Sequence, residues 1–254
     1  MTLVVPARAK LNLDLSVLGR SEDGFHQIRT QIQAIELHDV LELAKAGSTA
    51  MTISAADGIN APGVKDNSVL KAHAAIQIEA GRELPTRFHL DKRIPAGSGM
   101  GGASSNAAAA LRGLAAIHNL KLDLVRIAAR IGADAPFFIS GGRARAEGRG
   151  ERLTALPTEH AWFAIAWPGI ELSTEAVYHA WDEVKGDGTN QLTRAAFHAE
   201  PRLQAFKNQL GNDWQMTGSG SAFFRPCEDE PQATKAIAHL DCWTAVTQAI
   251  GAWA

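Results

Sequence analysis

Residues 95–106, which read PAGSGMGGASSN, constrain the fold of this chain more than any other segment. Four glycines fall within the six residues 97–102, and an alanine-rich stretch follows at once. Glycine allows positive φ angles and lets the backbone approach a ligand closely. A helix that starts directly after such a bend offers unpaired N–H groups and the positive end of its dipole. The segment therefore predicts a bend that binds an anion, usually phosphate.

Two other glycine patterns overlap this segment, and neither fits its surroundings. Gly97, Gly99 and Gly102 have the dinucleotide-binding spacing, but that motif requires a buried strand before it and a strand with an acidic end after it. Residues 90–95, LDKRIP, are too charged for such a strand. The Walker A pattern fails because Ala103 replaces its lysine. A plain flexible turn would lose chain entropy at every ordered glycine, so phosphate binding is favoured over it.

The composition is that of a globular chain of 254 residues, 46% hydrophobic and 20% charged, with a formal net charge of −2. This charge argues against general affinity for nucleic acid or acidic membranes. The longest apolar run, 161–167, is too short to span a bilayer, and residues 1–10 show no signal pattern. Cys227 and Cys242 lack metal-ligand spacing. We expect a cytoplasmic protein without nucleic-acid or membrane partners, as a monomer or weak homodimer.

The hydrophobic pattern mixes strands and helices without strict alternation, which is typical of the α+β class. In the first half we predict a long antiparallel strand pair at 3–18 and 27–43, an edge strand at 49–55 and a short strand at 86–91. We predict helices from Asn67 to Gly81, at 104–118, at 123–131 and after 134. A strand and turn follow at 141–153. In the second half we predict strands at 161–167, 222–224 and 243–250, and helices at 174–183, 191–197 and 228–240. A tight glycine turn is predicted at 216–220.

Three segments together resemble the GHMP kinases. Residues 95–105 resemble the central glycine motif of that family, PARAKLNL at 6–13 its N-terminal motif, and MTGSGS at 216–221 its C-terminal glycine motif. Ala103 departs from the pattern, where a third consecutive glycine is common. The resemblance implies an α+β fold with a ribosomal-protein-S5-domain-2-like half at 1–155, a ferredoxin-like half at 156–254 and an active site in the cleft between them.

The resemblance also implies transfer of the γ-phosphoryl group of ATP to an alcohol, with Mg²⁺. It places Asp134 as the base beside the acceptor hydroxyl, and Lys10 as the cation that keeps this carboxylate ionised. From the residues alone, Asp134 could equally cap the helix that contains Pro136, and Lys10 could lie on a solvated strand face. No carboxylate cluster in the sequence marks a protein-built metal site, so magnesium is expected to arrive with the phosphates.

The residues expected to bind ATP are the glycine segment and two residues that the family places beside the nucleotide. Asn67 could equally be only a helix cap, and Arg93 could replace Lys92. The full set implied by the resemblance is Asn67, Lys92, Pro95, Ala96, Gly97, Ser98, Gly99, Met100, Gly101, Gly102, Ala103, Ser104 and Ser105.

Three further segments, at 23–26, 132–138 and 146–153, resemble the branch of the family whose small-molecule substrate carries a cytidine diphosphate group. In that branch an aromatic ring at Phe25, where tyrosine is frequent, is expected to stack on the cytosine, His26 to bond its edge and Tyr178 to cover its other side. Asn12 is expected at the acceptor end. The substrate-binding set implied by the resemblance is Asn12, Phe25, His26, Tyr178, Gly218 and Ser219.

Other activities remain open from the sequence. A GHMP kinase acting on homoserine, mevalonate or a sugar would share the phosphate-binding segments, but homoserine gives no role to residues 24–26 and Tyr178. A nucleic-acid-binding module of similar fold is disfavoured by the near-neutral charge. A dinucleotide oxidoreductase is disfavoured by the residues around the glycine segment.

Overall fold

Two β-sheets form the framework of the computed structural model, which describes residues 1–253. The first sheet contains the strands β1 (Leu3–Asn12), β2 (Ser16–Arg20), β3 (His26–Lys45), β4 (Ala50–Ala55), β5 (Thr86–Lys92), β6 (Arg143–Gly148) and β7 (Arg152–Leu156). The second contains β8 (Trp162–Trp167), β9 (Gln215–Met216), β10 (Phe223–Cys227) and β11 (Trp243–Gln248) in the order β11-β8-β10-β9. The helices are α1 (Ser68–Ala80), α2 (Gly102–His118), α3 (Leu124–Ala129), α4 (Phe137–Ser140), α5 (Thr174–Val184), α6 (Thr193–Ala199), α7 (Arg202–Leu210) and α8 (Glu230–Ile237).

Strand β3, 20 residues long, is the centre of the first sheet. It pairs antiparallel with β1, β2, β5 and β6. This confirms the predicted long antiparallel pair, except that residues 13–15 divide the strand predicted at 3–18 into β1 and β2. The predicted edge strand is β4, and it runs parallel to β5, so the sheet is mixed. The pairing of β1 shifts register between Arg8 and Lys10, and the last four residues of β1 are all buried.

The helices of the first half confirm the predicted caps. Asn67 accepts a hydrogen bond from the backbone N–H of Val69 at the start of α1, and Gly81 ends this helix with φ 64°. Helix α2 begins at Gly102, two residues before the predicted start, because Gly101 adopts φ 74° at the N-cap. Residues 105–111 of α2 are buried without a break, so the alanines allow neighbouring elements to approach from several sides.

Strand β8 confirms the predicted buried strand, and its two faces meet different neighbours. Phe163 and Ile165 pack towards the first sheet, together with Leu11, Ile35 and Met100. The opposite face, with Ala164 and Ala166, packs against the helices of the second half. Because both faces are covered, the strand is apolar at every position instead of alternating.

The second half contains one helix that the sequence did not predict. Helix α7 has a largely polar sequence, RLQAFKNQL, and only its residues Leu203 and Leu210 are buried. Helix α6 begins two residues later than the helix predicted at 191–197. Helix α8 is shorter than the helix predicted at 228–240, and Asp229 caps its start.

The two halves pack against each other through a shared apolar cluster and through backbone hydrogen bonds. Residues 249–253 return to the first half, where Ile250 N donates to Ala34 O at 3.0 Å and Trp253 N donates to Ser140 O at 2.9 Å. The predicted division into domains at 155/156 falls between the last two residues of β7, and it stays a prediction. Within residues 1–253, none of the helices combines the length and apolar character that a membrane span needs.

Candidate active site

A cleft of about 680 Å³ lies where the two halves meet. One wall is the glycine loop, residues 95–101, with the first turn of α2. The segment that leads into α1 forms a second wall, and Asp134, Tyr178 and residues 218–219 are among the other lining residues. The expected glycine segments of the two halves therefore meet at one site.

The glycine loop is joined to the second glycine turn, residues 216–221, by backbone hydrogen bonds. Gly97 O accepts from Ser221 N at 3.2 Å, and Ser98 O accepts from Ala222 N at 3.0 Å. Gly97 O also accepts from Leu172 N at 3.1 Å. These bonds fix the loop so that its following helix start faces the cleft.

The start of α2 is suited to binding an anion. Gly101 has no side chain to cap the helix, so the N–H groups of the first turn are left without side-chain partners. Gly102, Ala103 and Ser104, which carry these groups, line the cleft. Unpaired N–H groups and the helix dipole together attract phosphate oxygens.

Lys10 and Asp134 lie side by side in the cleft. Lys10 Nζ is 3.6 Å from Asp134 Oδ2 and donates to Gly99 O at 2.7 Å. The Lys10 side chain is 5% exposed, whereas that of Asp134 is 39% exposed. Burial lowers the pKa of Lys10, and the charge of Asp134 opposes this shift by raising it. The pair joins a held cation to a carboxylate that a ligand can reach.

The two alternative roles for these residues do not fit the structure. Helix α4 has Pro136 as its N-cap and no side-chain cap, so Asp134 does not cap it. Lys10 is buried, so it does not lie on a solvated strand face.

Asn12 lines the cleft and also positions Lys10. Its Oδ1 accepts from Lys10 Nζ, its Nδ2 donates to Thr30 Oγ1 at 2.8 Å, and its backbone N donates to Thr217 Oγ1 at 2.9 Å. The sequence did not indicate Thr30 or Thr217 as site residues. Their contacts link positions far apart in the chain, and no local pattern reveals such a pair.

Lys92 lines the cleft beside the start of α2, where a Cβ atom on Gly102 would lie 3.3 Å from its Nζ, and it forms a buried ion pair with Asp39. Asp39 is fully buried and also accepts from the backbone of Arg93 at 2.6 Å and of Ile94 at 2.8 Å. Arg93 pairs with Asp91 at the surface and is not among the lining residues, so Lys92 is the better placed of the two. Asp39 was not predicted as a site residue, because Glu36 and Glu42 in the same stretch are acidic too and nothing local distinguishes it from them.

The other residues expected at the nucleotide differ in how they face the cleft. Asn67 lines it and also caps α1, so both of its alternative roles are compatible with its position. Met100 is buried between the sheets and its carbonyl accepts from Lys10 N at 3.0 Å. Ser105 is buried inside α2. Asn106, which was not predicted, lines the cleft with a buried Oδ1 that has no partner within residues 1–253.

Of the three residues expected to hold a cytosine, one lines the cleft, and Phe25 and His26 lie outside its lining. Tyr178 lines it, and its ring stacks on His26 with centroids 4.8 Å apart. His26 Nε2 lies 2.9 Å from Asp182 Oδ1. Burial and the charge of Asp134 both raise the pKa of Tyr178, so its hydroxyl stays protonated. Phe25 is 53% exposed and is separated from this stack, so the expected sandwich stays a prediction.

The second glycine turn approaches the Lys10 end. A Cβ atom on Gly218 would lie 3.2 Å from Lys10 Nζ, and Ser219 Oγ lies 2.9 Å from Thr174 Oγ1. Cationic side chains in the lining outnumber carboxylates, five to two. The cations are Lys10, Lys65, Lys71, Lys92 and Arg149, and the carboxylates are Asp66 and Asp134. This excess suits a ligand with several phosphates.

Known proteins share both the sequence and the fold. Residues 67–142 match the family model of the GHMP kinases N terminal domain. A Chromohalobacter salexigens protein named 4-diphosphocytidyl-2-C-methyl-D-erythritol kinase is 32% identical, over 92% of this chain and 86% of that protein. A crystal structure of a 4-(cytidine 5'-diphospho)-2C-methyl-D-erythritol kinase aligns with a TM-score of 0.81 and 30% identity, over 98% of this chain and all of the other.

A more distant structure, homoserine kinase from Cytophaga hutchinsonii, is 16% identical with a TM-score of 0.69, over 99% of this chain and 95% of the other, and shows the shared fold alone. The predicted GHMP kinase fold is thus confirmed. The predicted kinase activity is confirmed by the two relatives that are 32% and 30% identical, and the GHMP kinases are ATP-dependent. Because the identity to the first two proteins extends over nearly the whole chain, this protein belongs to the GHMP kinases, in the 4-diphosphocytidyl-2-C-methyl-D-erythritol kinase family.

Proposed function

We propose that this protein transfers the γ-phosphoryl group of ATP to the 2-hydroxyl of 4-diphosphocytidyl-2-C-methyl-D-erythritol, giving the 2-phosphate and ADP, in the non-mevalonate route to isoprenoid precursors. The observation that carries the proposal is the Lys10–Asp134 pair, 3.6 Å apart and beside the start of α2. We infer the identity of the acceptor alcohol from the names of the relatives, and the roles of the residues from the geometry of the cleft.

In the proposed reaction the glycine loop and the first turn of α2 hold the phosphates of ATP. Phosphoryl transfer depends mainly on alignment and on neutralising charge. The N–H groups of residues 102–104 supply the alignment. Lys10, which donates to Gly99 O of the loop, adds positive charge. Lys92 is partly neutralised by Asp39, so its main role is to fix the loop and to contact the nucleotide.

Asp134 is the proposed general base. Its carboxylate is exposed enough to meet the acceptor hydroxyl, and Lys10 Nζ lies 3.6 Å from its Oδ2. A positioned base of this kind contributes roughly 10²–10⁴ in rate. Lys10 is held by Asn12 and by Gly99 O, so its charge is already in place before the substrate arrives.

Oxygen donors at this end of the cleft fit magnesium, which prefers oxygen ligands. Ser104 and Asp134 line the cleft here, and a Cβ atom on Gly132 would lie 3.7 Å from Ser104 Oγ, so the serine faces the Asp134 segment. Magnesium bound to the ATP phosphates neutralises part of their charge. Residues 1–253 contain no group of three His, Cys, Asp or Glu side chains able to hold a metal. Ser104 would therefore be a side-chain ligand of an ion whose other ligands are phosphate and water, which leaves Asp134 to act as the base.

The acceptor is proposed to lie with its alcohol at Asp134 and its cytosine towards Tyr178. Asn12 and residues 218–219 are proposed to contact the alcohol end, and Phe25 and His26 the cytosine end. The aromatic stack of Tyr178 on His26 gives this end of the cleft a flat apolar wall.

A coupled assay of ADP release tests the proposal. Wild-type protein, Asp134→Asn and the surface control Asp213→Asn would each be offered the cytidylylated alcohol, homoserine and mevalonate. We expect turnover of the cytidylylated alcohol only, with kcat at least ~10²-fold lower in Asp134→Asn and unchanged in the control. Equal turnover by Asp134→Asn would exclude it as the base, and turnover of homoserine or mevalonate instead would exclude the proposed substrate.

A further inference from the structure

The turn between β6 and β7 places a cation at the cleft that has no role in the reaction described above. Arg149 is the second residue of this turn, residues 148–151, and its side chain is 48% exposed while lining the cleft. Its glycine neighbours take positive φ angles of 75° and 114°. The backbone N–H of Arg149 donates to Glu151 Oε2 at 2.7 Å, so the turn itself is fixed.

The position of this turn relative to the reacting centre is well defined. A Cβ atom on Gly150 would lie 3.6 Å from Asp134 Oδ1, so the turn borders the proposed base. On the other side, the guanidinium carbon of Arg149 lies 4.4 Å from the centroid of the Phe25 ring. Arg149 thus lies between the carboxylate that receives the alcohol and the ring expected to receive the cytosine.

The guanidinium of Arg149 is available to a ligand. Its nearest carboxylate is Asp23, 3.9 Å away and 58% exposed, which is too far for a hydrogen bond. Glu147 beside it is already paired with Arg29 at 3.1 Å. Within residues 1–253 the guanidinium makes no hydrogen bond, although arginine carries five N–H donors.

We propose that Arg149 binds the diphosphate of the cytidine diphosphate group and thereby selects acceptor alcohols that carry one. This inference rests on the proposed function. In that acceptor the diphosphate joins the cytosine to the alcohol, so it must pass between Phe25 and Asp134. A guanidinium presents paired N–H donors that match phosphate oxygens, and its contact with the Phe25 ring holds it in place. Arg149 is a specificity-determining residue here, and homoserine or mevalonate offers it no phosphate.

Isothermal titration of cytidine diphosphate and of cytidine separates the diphosphate contact from the cytosine contact. The proteins compared are the wild type, Arg149→Met, which keeps an unbranched stem without charge, Arg149→Lys, and the exposed neighbour variant Arg152→Met as the matched control. We expect Arg149→Met to weaken cytidine diphosphate binding about 10- to 100-fold and cytidine binding less than ~3-fold. Arg149→Lys should be intermediate, and Arg152→Met unchanged.

Steady-state kinetics provide the second readout. In Arg149→Met we expect the KM for the acceptor to rise about 10-fold or more, with the KM for ATP within ~2-fold and kcat within ~3-fold of wild type. A rise in the KM for ATP alone would assign Arg149 to the ATP phosphates and overturn the inference.

The titrations also distinguish this inference from the proposed function. If wild type binds cytidine diphosphate and Arg149→Met binds it equally tightly, the role of Arg149 is wrong while the proposed substrate stands. If wild type binds neither cytidine nor cytidine diphosphate, the proposed substrate is wrong and the role of Arg149 falls with it.

Discussion

A Cβ atom on Gly99 would lie 2.3 Å from the carbonyl oxygen of Thr217, so the two glycine turns meet where no side chain fits. The same glycine has φ 78°, a backbone conformation that other residues rarely adopt. Part of the glycine content of this loop is therefore required by the contact between the two halves, and part by the proposed phosphates.

We predict that Gly99→Ala lowers the free energy of unfolding by about 2 kcal/mol or more, because the clash adds to backbone strain. The matched control is Gly47→Ala, where a Cβ atom meets nothing within 4 Å and φ is not positive. The control should change stability by less than ~0.5 kcal/mol in urea denaturation. Identical urea midpoints for the two variants would contradict the close contact with Thr217.

Asp39→Asn is predicted to destabilise the protein by about 3–5 kcal/mol, because it leaves the buried Lys92 charge without its partner. The control Asp91→Asn removes the partner of Arg93 at the surface and should cost less than ~1 kcal/mol. Urea denaturation measures both. Because Lys92 lines the cleft, Asp39→Asn should also raise the KM for ATP, and an unchanged KM would separate Lys92 from nucleotide binding.

The pH profile of kcat/KM is predicted to fall on its alkaline side below the ordinary lysine pKa of 10.5. Burial is the larger effect on Lys10 and lowers its pKa, although the charge of Asp134 opposes this. As pH rises through the lowered value, Lys10 loses the proton whose charge the site uses. Lys10→Arg keeps a charge at every pH tested, so its alkaline limb should move upward or vanish. An unmoved limb in that variant would assign the titration to another group.

The contribution of Tyr178 is predicted to come from its ring. Tyr178→Phe keeps the stack on His26 and should bind cytidine diphosphate within ~3-fold of wild type. Tyr178→Ala removes the wall and should weaken binding about 5-fold or more, as expected for a base that loses an aromatic partner. Isothermal titration measures both, and a loss in Tyr178→Phe equal to that in Tyr178→Ala would assign the effect to the hydroxyl.

Features that depend on neighbours in the sequence could be predicted. The cap at Asn67, the stop at Gly81 and the helix after the glycine loop all follow from local residue types, and the structure contains each of them. The strand β8 was predicted from its apolar run, because burial on both faces leaves no alternation.

Features that depend on distant partners could not be predicted. Asp39 and Thr217 look like ordinary strand and turn residues until the fold brings them to Lys92 and Asn12. Helix α7 was missed because its polar sequence buries few residues and gives a weak period. The family motifs named Lys10 and Asp134, but only the fold shows that the pair is 3.6 Å apart.

The hydrogen bond from Asn12 to Thr217 joins positions 205 residues apart, so the first strand depends on a late part of the chain. During synthesis on the ribosome, β1 and β3 can pair long before Thr217 emerges. Thr30 can hold the side-chain amide of Asn12 early, but the backbone N–H of Asn12 gains its partner only once Thr217 arrives. A nascent chain would then contain the paired strands β1 and β3 before Lys10 is fully positioned. Phosphoryl transfer would begin only after the second half has packed against the first.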